Sequence, residues 1–292
     1  MADLGQPQNT IAVLKKYDFT FQKKFGQNFL IDTHVLDKIV SAASITKDDF
    51  VLEIGPGIGT VTQYLCEAAR KVIAIEIDRK LIDILKDTLS DYDNVEIINN
   101  DIMKVDIEAL VKEKNAGKRI KIVSNLPYYI TTPIIMSLLE KKVPVSDMTL
   151  MIQEEVARRM QAESGTKDYG ALTLAVKYYA EPYIAAFVPP NCFMPRPNVG
   201  SAVINLKCHE KPPIEVKDEA LMFKLIKASF AQRRKTLQNG LVNSPEIELS
   251  RERVTEAIIK MQRTCKLKEN PLVRGETLTL KEFACLADIL SE

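Results

Sequence analysis

Four short stretches of the 292-residue chain carry groups able to hold a small polar ligand. Glu53-Ile54-Gly55-Pro56-Gly57-Ile58-Gly59-Thr60 is glycine-rich, and glycine lets the backbone approach a bound group closely. Its spacing is Gly-x-Gly-x-Gly. A dinucleotide fingerprint needs its third glycine where Thr60 stands, which disfavours a diphosphate cradle. Glu76 follows the loop by about twenty residues, the distance at which a carboxylate accepts from both hydroxyls of a ribose. Asn99-Asn100-Asp101 brings a second carboxylate, and Ser124-Asn125-Leu126-Pro127-Tyr128-Tyr129 brings a carboxamide, a proline with no N–H to compete, and an aromatic face.

Each of these stretches ends a β-branched run. Val51–Ile54, Val72–Ile75, Val95–Ile98, Ile120–Val123 and Met148–Met151 read as strands, with helical stretches over Thr60–Ala69, Arg79–Leu89 and Pro133–Leu139 between them. Thr132 is the expected N-cap of the last, with Pro133 at its first position. Strand and helix alternating at this spacing predict a doubly wound, Rossmann-like α/β domain whose strand ends share one edge. Asp32 is placed to cap a helix carrying Val35, Leu36, Ile39, Val40 and Ala43 on one face. Two further strand-like runs lie between Tyr178 and Leu206, around a loop holding Pro189, Pro190, Pro195 and Pro197. After Pro212-Pro213 the pattern is helical. The boundary is expected near 208–213, giving an α/β domain over 1–210 and a smaller all-helical domain over 211–292.

The glycine loop with Glu76 and Asp101 resembles the class I methyltransferases that use S-adenosylmethionine. That resemblance implies that Gly55, Gly57 and Gly59 line the methionine part of the cofactor, Glu76 holds the ribose and Asp101 reads the adenine amino group. Asn125-Leu126-Pro127-Tyr128 resembles the signature of enzymes that methylate an exocyclic amino nitrogen. An adenine N6 lone pair is delocalised into the ring and is a poor nucleophile. Hydrogen bonds from the N6 hydrogens to the Asn125 oxygen and the Leu126 carbonyl would free that lone pair for in-line attack, while Pro127 fixes the turn and Tyr128 stacks an extruded base. No general base is required, because the charged amino product is itself acidic.

Three more segments narrow the resemblance to the KsgA/RsmA family of ribosomal RNA adenine dimethyltransferases: Lys24-Phe25-Gly26-Gln27-Asn28-Phe29-Leu30, the loop from Phe193-Met194-Pro195-Arg196-Pro197 to Ser201, and Phe230 to Leu237 around Arg233-Arg234-Lys235. Cys192 and Asn198 fall at variable places of the pattern. The resemblance, which runs from about residue 20 to 240, implies that Gln27, Asn28 and Leu30 close over the cofactor and that Phe193 faces Tyr128 across the target base. It also implies the substrate: two adjacent adenosines in the hairpin loop near the 3′ end of 16S rRNA, within the immature 30S subunit, with S-adenosylhomocysteine as product.

Charge supports an RNA-facing surface. The chain has 40 Lys+Arg against 39 Asp+Glu, a net +1, so no uniformly basic coat exists and any phosphate-binding site must be local. Lys224, Lys227, Arg233, Arg234 and Lys235 lie in a stretch with no acid between Leu221 and Pro245, and are expected to contact RNA backbone. Five scattered cysteines and two histidines predict no disulfide framework and no metal. No run reaches membrane-spanning length and the N-terminal residues do not read as a secretory signal, so a cytoplasmic monomer is expected. Three other readings stay open: an Erm-type enzyme acting on 23S rRNA, a ribosome-assembly factor working mainly by binding, and a dehydrogenase.

Overall fold

The structure, a computed structural model, describes residues 2–22 and 25–292, so Lys24 of the segment above lies outside the described residues. Helix α1 (Pro7–Lys16), strand β1 (Phe29–Leu30) and helix α2 (Thr33–Ala43) precede a regular alternation: β2 (Phe50–Ile54), α3 (Thr60–Ala68), β3 (Lys71–Glu76), α4 (Arg79–Thr88), β4 (Val95–Asn99), α5 (Ile107–Asn115), β5 (Ile120–Asn125), α6 (Thr131–Glu140) and β6 (Val145–Gln153). Then come α7 (Glu154–Gln161), α8 (Ala171–Tyr179), β7 (Ala180–Val188), β8 (Phe193–Met194) and β9 (Ser201–Cys208). Helices α9 (Glu219–Ala231), α10 (Leu237–Val242), α11 (Arg251–Thr264) and α12 (Leu280–Leu290) complete the chain.

Seven strands form one sheet in the order β4-β3-β2-β5-β6-β9-β7. β2 to β6 are parallel and β9 returns antiparallel to β6. Strands buried on both faces need continuous apolar runs, and every residue of β2 is buried. The strand order reverses between β2 and β5, so their carboxyl ends open the crevice in which doubly wound sheets bind ligands. All five strands expected from the sequence are present. Asp32 caps α2, accepting from the Val35 N–H at 3.1 Å. Thr132 is no cap: α6 begins a residue earlier behind Ile130, because the turn at Pro127, which accepts from Ile130 N–H at 3.3 Å and Thr131 Oγ1 at 3.0 Å, feeds directly into the helix.

The chain divides into two compact units, one comprising the residues up to Ala157 with Glu181–Cys208, the other Arg158–Ala180 with His209–Glu292. The division near 208 matches the expected boundary, but Arg158–Ala180 belongs to the second unit and not to the α/β one. The reason is non-local: Tyr169, Leu174 and Tyr178 are buried in one cluster with Met222, Leu225, Ile226 and Phe283, and the Tyr169 hydroxyl donates to the Leu278 carbonyl at 2.7 Å. Among the described residues no helix is long and apolar enough to cross a membrane.

Candidate active site

At the carboxyl end of β2 the chain turns through Gly55, Gly57 and Gly59, at φ of 68°, 63° and 95°. Only glycine takes these values without strain. Gly55 N–H donates to the Ile75 carbonyl at 2.9 Å, and Gly57 N–H donates to Glu76 Oε2 at 3.1 Å. The second oxygen, Oε1, accepts from Asp78 N–H at 2.8 Å, so one carboxylate locks the glycine loop to the start of α4. Glu76 is 4% exposed, and burial, opposed by those two backbone donors, pushes its carboxyl up to about 7. On the neighbouring strand Glu53 is 1% exposed. Its Oε2 has no hydrogen-bond partner, and burial pushes it up to about 8.

A cavity of about 90 Å³ lies over this loop, and Glu53, Gly55, Gly57, Glu76 and Asn125 to Tyr129 all line it. Asn125 closes β5, its Nδ2 donating to the Asn28 carbonyl at 3.0 Å. That bond aims the amide, and among the described residues neither Asn125 Oδ1 nor the Leu126 carbonyl accepts a hydrogen bond. Leu126 itself is held by its N–H on the Met151 carbonyl at 3.1 Å. Tyr128 is half-buried, with its hydroxyl 2.6 Å from Ser201 Oγ at the start of β9, and burial raises its pKa.

Gln27, Asn28 and Leu30 line the same cavity. Gln27 works through a latch: its Nε2 and that of Gln22 both donate to Asp78 Oδ2, at 2.9 and 2.8 Å, while its Oε1 accepts from Gln22 N–H at 2.9 Å. Asp78 also caps α4 by accepting from Lys80 N–H at 3.1 Å. Sequence reasoning missed Gln22 and Asp78, since the pairing spans more than fifty residues. It also left Tyr129 and Ile77 without a role. Both line the cavity, 57% and 47% exposed, and large exposed apolar side chains at strand ends were the signal available.

Three residues stand elsewhere than expected. Gly59 does not line the cavity. It starts α3, where a Cβ would come within 3.1 Å of Thr88 Oγ1 and 3.3 Å of Leu89, so its smallness serves the packing of the loop on α4. Asp101 lies at the end of β4 outside the cavity lining, one oxygen accepting from Met103 N–H at 3.0 Å, although its charge reaches the Tyr129 hydroxyl. Phe193 does not line the cavity facing Tyr128. It pairs with Leu30 across the two-stranded β1–β8 ladder and is 3% exposed within the core that includes Val61 and Val203.

In the second unit Lys224, Lys227, Arg233, Arg234 and Lys235 are all exposed. Lys224 and Lys227 lie on α9 opposite buried Met222, Leu225 and Ile226, while the last three follow the helix. Two of the five have acidic partners from distant sequence: Lys227 pairs with Glu246, and Arg233 lies 3.5 Å from Glu276 and donates to the Lys167 carbonyl at 2.9 Å. The stretch is therefore not free of counter-charge, and Lys224, Arg234 and Lys235 are the cations without an ion pair among the described residues.

Sheet order, glycine loop and carboxylate together define a Rossmann-like methyltransferase domain followed by a helical unit. The model of the ribosomal RNA adenine dimethylase family matches residues 18–272, and the chain belongs to that family. It is an rRNA adenine dimethyltransferase. It is 66% identical to the ribosomal RNA small subunit methyltransferase A of Lachnoclostridium phytofermentans over the whole chain and 99% of that protein, and 51% identical to the Clostridioides difficile protein of the same name over the whole chain and 98% of that one. Among solved structures it is similar to a dimethyladenosine transferase from Plasmodium falciparum (TM-score 0.70, 26% identity, 88% of this chain and 95% of that one). It is also similar to the 23S rRNA methyltransferase ErmE (TM-score 0.67, 25% identity, 90% and 100%).

Proposed function

We propose that the chain, as a cytoplasmic monomer, dimethylates N6 of two adjacent adenosines in the 3′-terminal hairpin loop of 16S rRNA, using S-adenosylmethionine, and so contributes to biogenesis of the 30S subunit. The observation that carries this reading is the pair of open acceptors, Asn125 Oδ1 and the Leu126 carbonyl, at the end of a cavity floored by the glycine loop. The cavity suits the cofactor: a Cβ at Gly55 would meet nothing within 4 Å, and Glu76 keeps lone pairs for two ribose hydroxyls beyond its two backbone bonds. When bound, S-adenosylmethionine supplies a methyl group activated on a sulfonium.

The chain's own residues do the rest. Asn125 Oδ1 and the Leu126 carbonyl accept both N6 hydrogens, pulling the lone pair out of conjugation and toward the methyl. The Asn28 carbonyl holds the amide so that oxygen and not nitrogen faces the base. Tyr128, steadied by Ser201, gives the extruded ring a face to stack on. Lys224, Arg234 and Lys235 contact RNA phosphate. Relatives at 47–66% identity carry the small-subunit name, whereas ErmE stands at 25%, which favours 16S over 23S rRNA as substrate. Primer extension across both rRNAs from a deletion strain tests this: loss of the stops near the 3′ end of 16S rRNA supports it, and loss in 23S rRNA alone refutes it.

A further inference from the structure

Glu53 takes no part in the steps above, yet it lines the cavity, 1% exposed, with an oxygen that no group satisfies. An ionised carboxylate buried without a partner is strongly unfavourable, so such a group holds either a proton or a ligand that donates to it. The groups facing it favour the proton. Glu76 on β3 opposes its charge, and the Cys66 thiol on α3 is itself kept protonated partly by Glu53. Its register partners on β3 and β5 are Ala74 and Val123, and the one polar neighbour favouring the charged form is the Thr62 hydroxyl on α3. No lysine or arginine acts on it.

Resting on the cofactor reading above, we propose that Glu53 is the counter-charge for the α-ammonium group of the methyl donor and gives its proton to solvent as that group binds. An unsatisfied acceptor needs a hydrogen-bond donor. The ammonium carries three N–H bonds and the sulfonium none, so the ammonium is the partner. Glu76, already tied to Gly57 and Asp78, serves the ribose instead. The balance is simple: the carboxyl O–H breaks, the proton passes to buffer, and the carboxylate accepts from the ammonium.

Two ligands separate the carboxylates. S-adenosylhomocysteine carries the amino-acid end, whereas 5′-methylthioadenosine keeps adenine, ribose and thioether but lacks it. Titration calorimetry of the full chain at pH 7.5, in phosphate and in Tris, reads the protons released by each. S-adenosylhomocysteine is expected to expel about 0.7 proton more than 5′-methylthioadenosine, the fraction held by a carboxyl at about 8. In Glu53→Gln that difference is expected to vanish and S-adenosylhomocysteine to bind about tenfold more weakly. Unchanged 5′-methylthioadenosine binding reports that the variant is folded. Equal proton release by both ligands in the wild type, or an excess that survives in Glu53→Gln, overturns the inference. Binding of neither ligand by the wild type overturns the cofactor reading itself.

Discussion

Replacing Glu76 by glutamine preserves the side chain's shape and removes its charge, and the geometry says what is lost. Two backbone donors converge on the carboxylate, Gly57 N–H at 3.1 Å and Asp78 N–H at 2.8 Å. A glutamine has one acceptor oxygen, so one of these buried N–H groups must face an amide NH₂, a conflict worth about 1–3 kcal/mol. The ribose hydroxyls lose a charged acceptor as well, worth about 1.5–3 kcal/mol per hydrogen bond. A combined loss of about 3 kcal/mol is roughly a hundredfold in Kd. Titration calorimetry with S-adenosylhomocysteine at about pH 8.5 reads it, since the wild-type carboxyl, held at about 7, is then ionised. The wild-type affinity for 5′-methylthioadenosine is expected to weaken as pH falls through about 7, while that of Glu76→Gln stays flat. A folded Glu76→Gln protein that loses less than about fivefold would refute the placing of the ribose on this carboxylate.

Three other outcomes are expected. Asn125→Ala removes one of the two acceptors for the amino group, and its kcat for methylation should fall by about 10²–10³ with S-adenosylhomocysteine affinity changing less than about tenfold; a smaller effect on kcat than on binding would make Asn125 a cofactor ligand instead. Replacing Arg234 and Lys235 by alanine should lower the slope of log K for rRNA against log salt by roughly 1.4–1.8, from about 0.7–0.9 per phosphate contact, and paired Lys227 and Arg233 should matter less. Glu53 and Glu76 hold protons more tightly in the folded chain than in the unfolded one, so stability should decline as pH rises from about 4.5 toward about 8. Denaturant melts of Glu53→Gln should show a shallower decline, by on the order of a few kcal/mol, and an unchanged pH profile would contradict the burial argument.

The strand ends were legible because chemistry and period coincide there. A parallel strand buried on both faces announces itself as an apolar run, and the first polar residue after it marks the sheet's edge, as at Glu76 and Asn125. What escaped depends on partners far away in sequence. Phe193 is drawn into the core by a two-residue ladder with β1, which leaves no periodic trace. Gly59 looked like its two neighbours in the loop, but its role is set by Thr88 on α4. The cations after α9 looked unopposed because Glu246 and Glu276 lie well beyond them. Likewise Arg158–Ala180 follows the sheet in sequence and packs with the helices of the second unit, through tyrosines whose burial no local pattern discloses.

The central claim is methyl transfer to adenine amino groups of small-subunit rRNA. Incubating the purified chain with immature small subunits and S-adenosylmethionine, then mapping modified nucleosides by mass spectrometry, measures it directly. The account requires N6,N6-dimethyladenosine at two neighbouring positions near the 3′ end of 16S rRNA, absent with Asn125→Ala. Methylation on another atom, or full activity of Asn125→Ala, would contradict it.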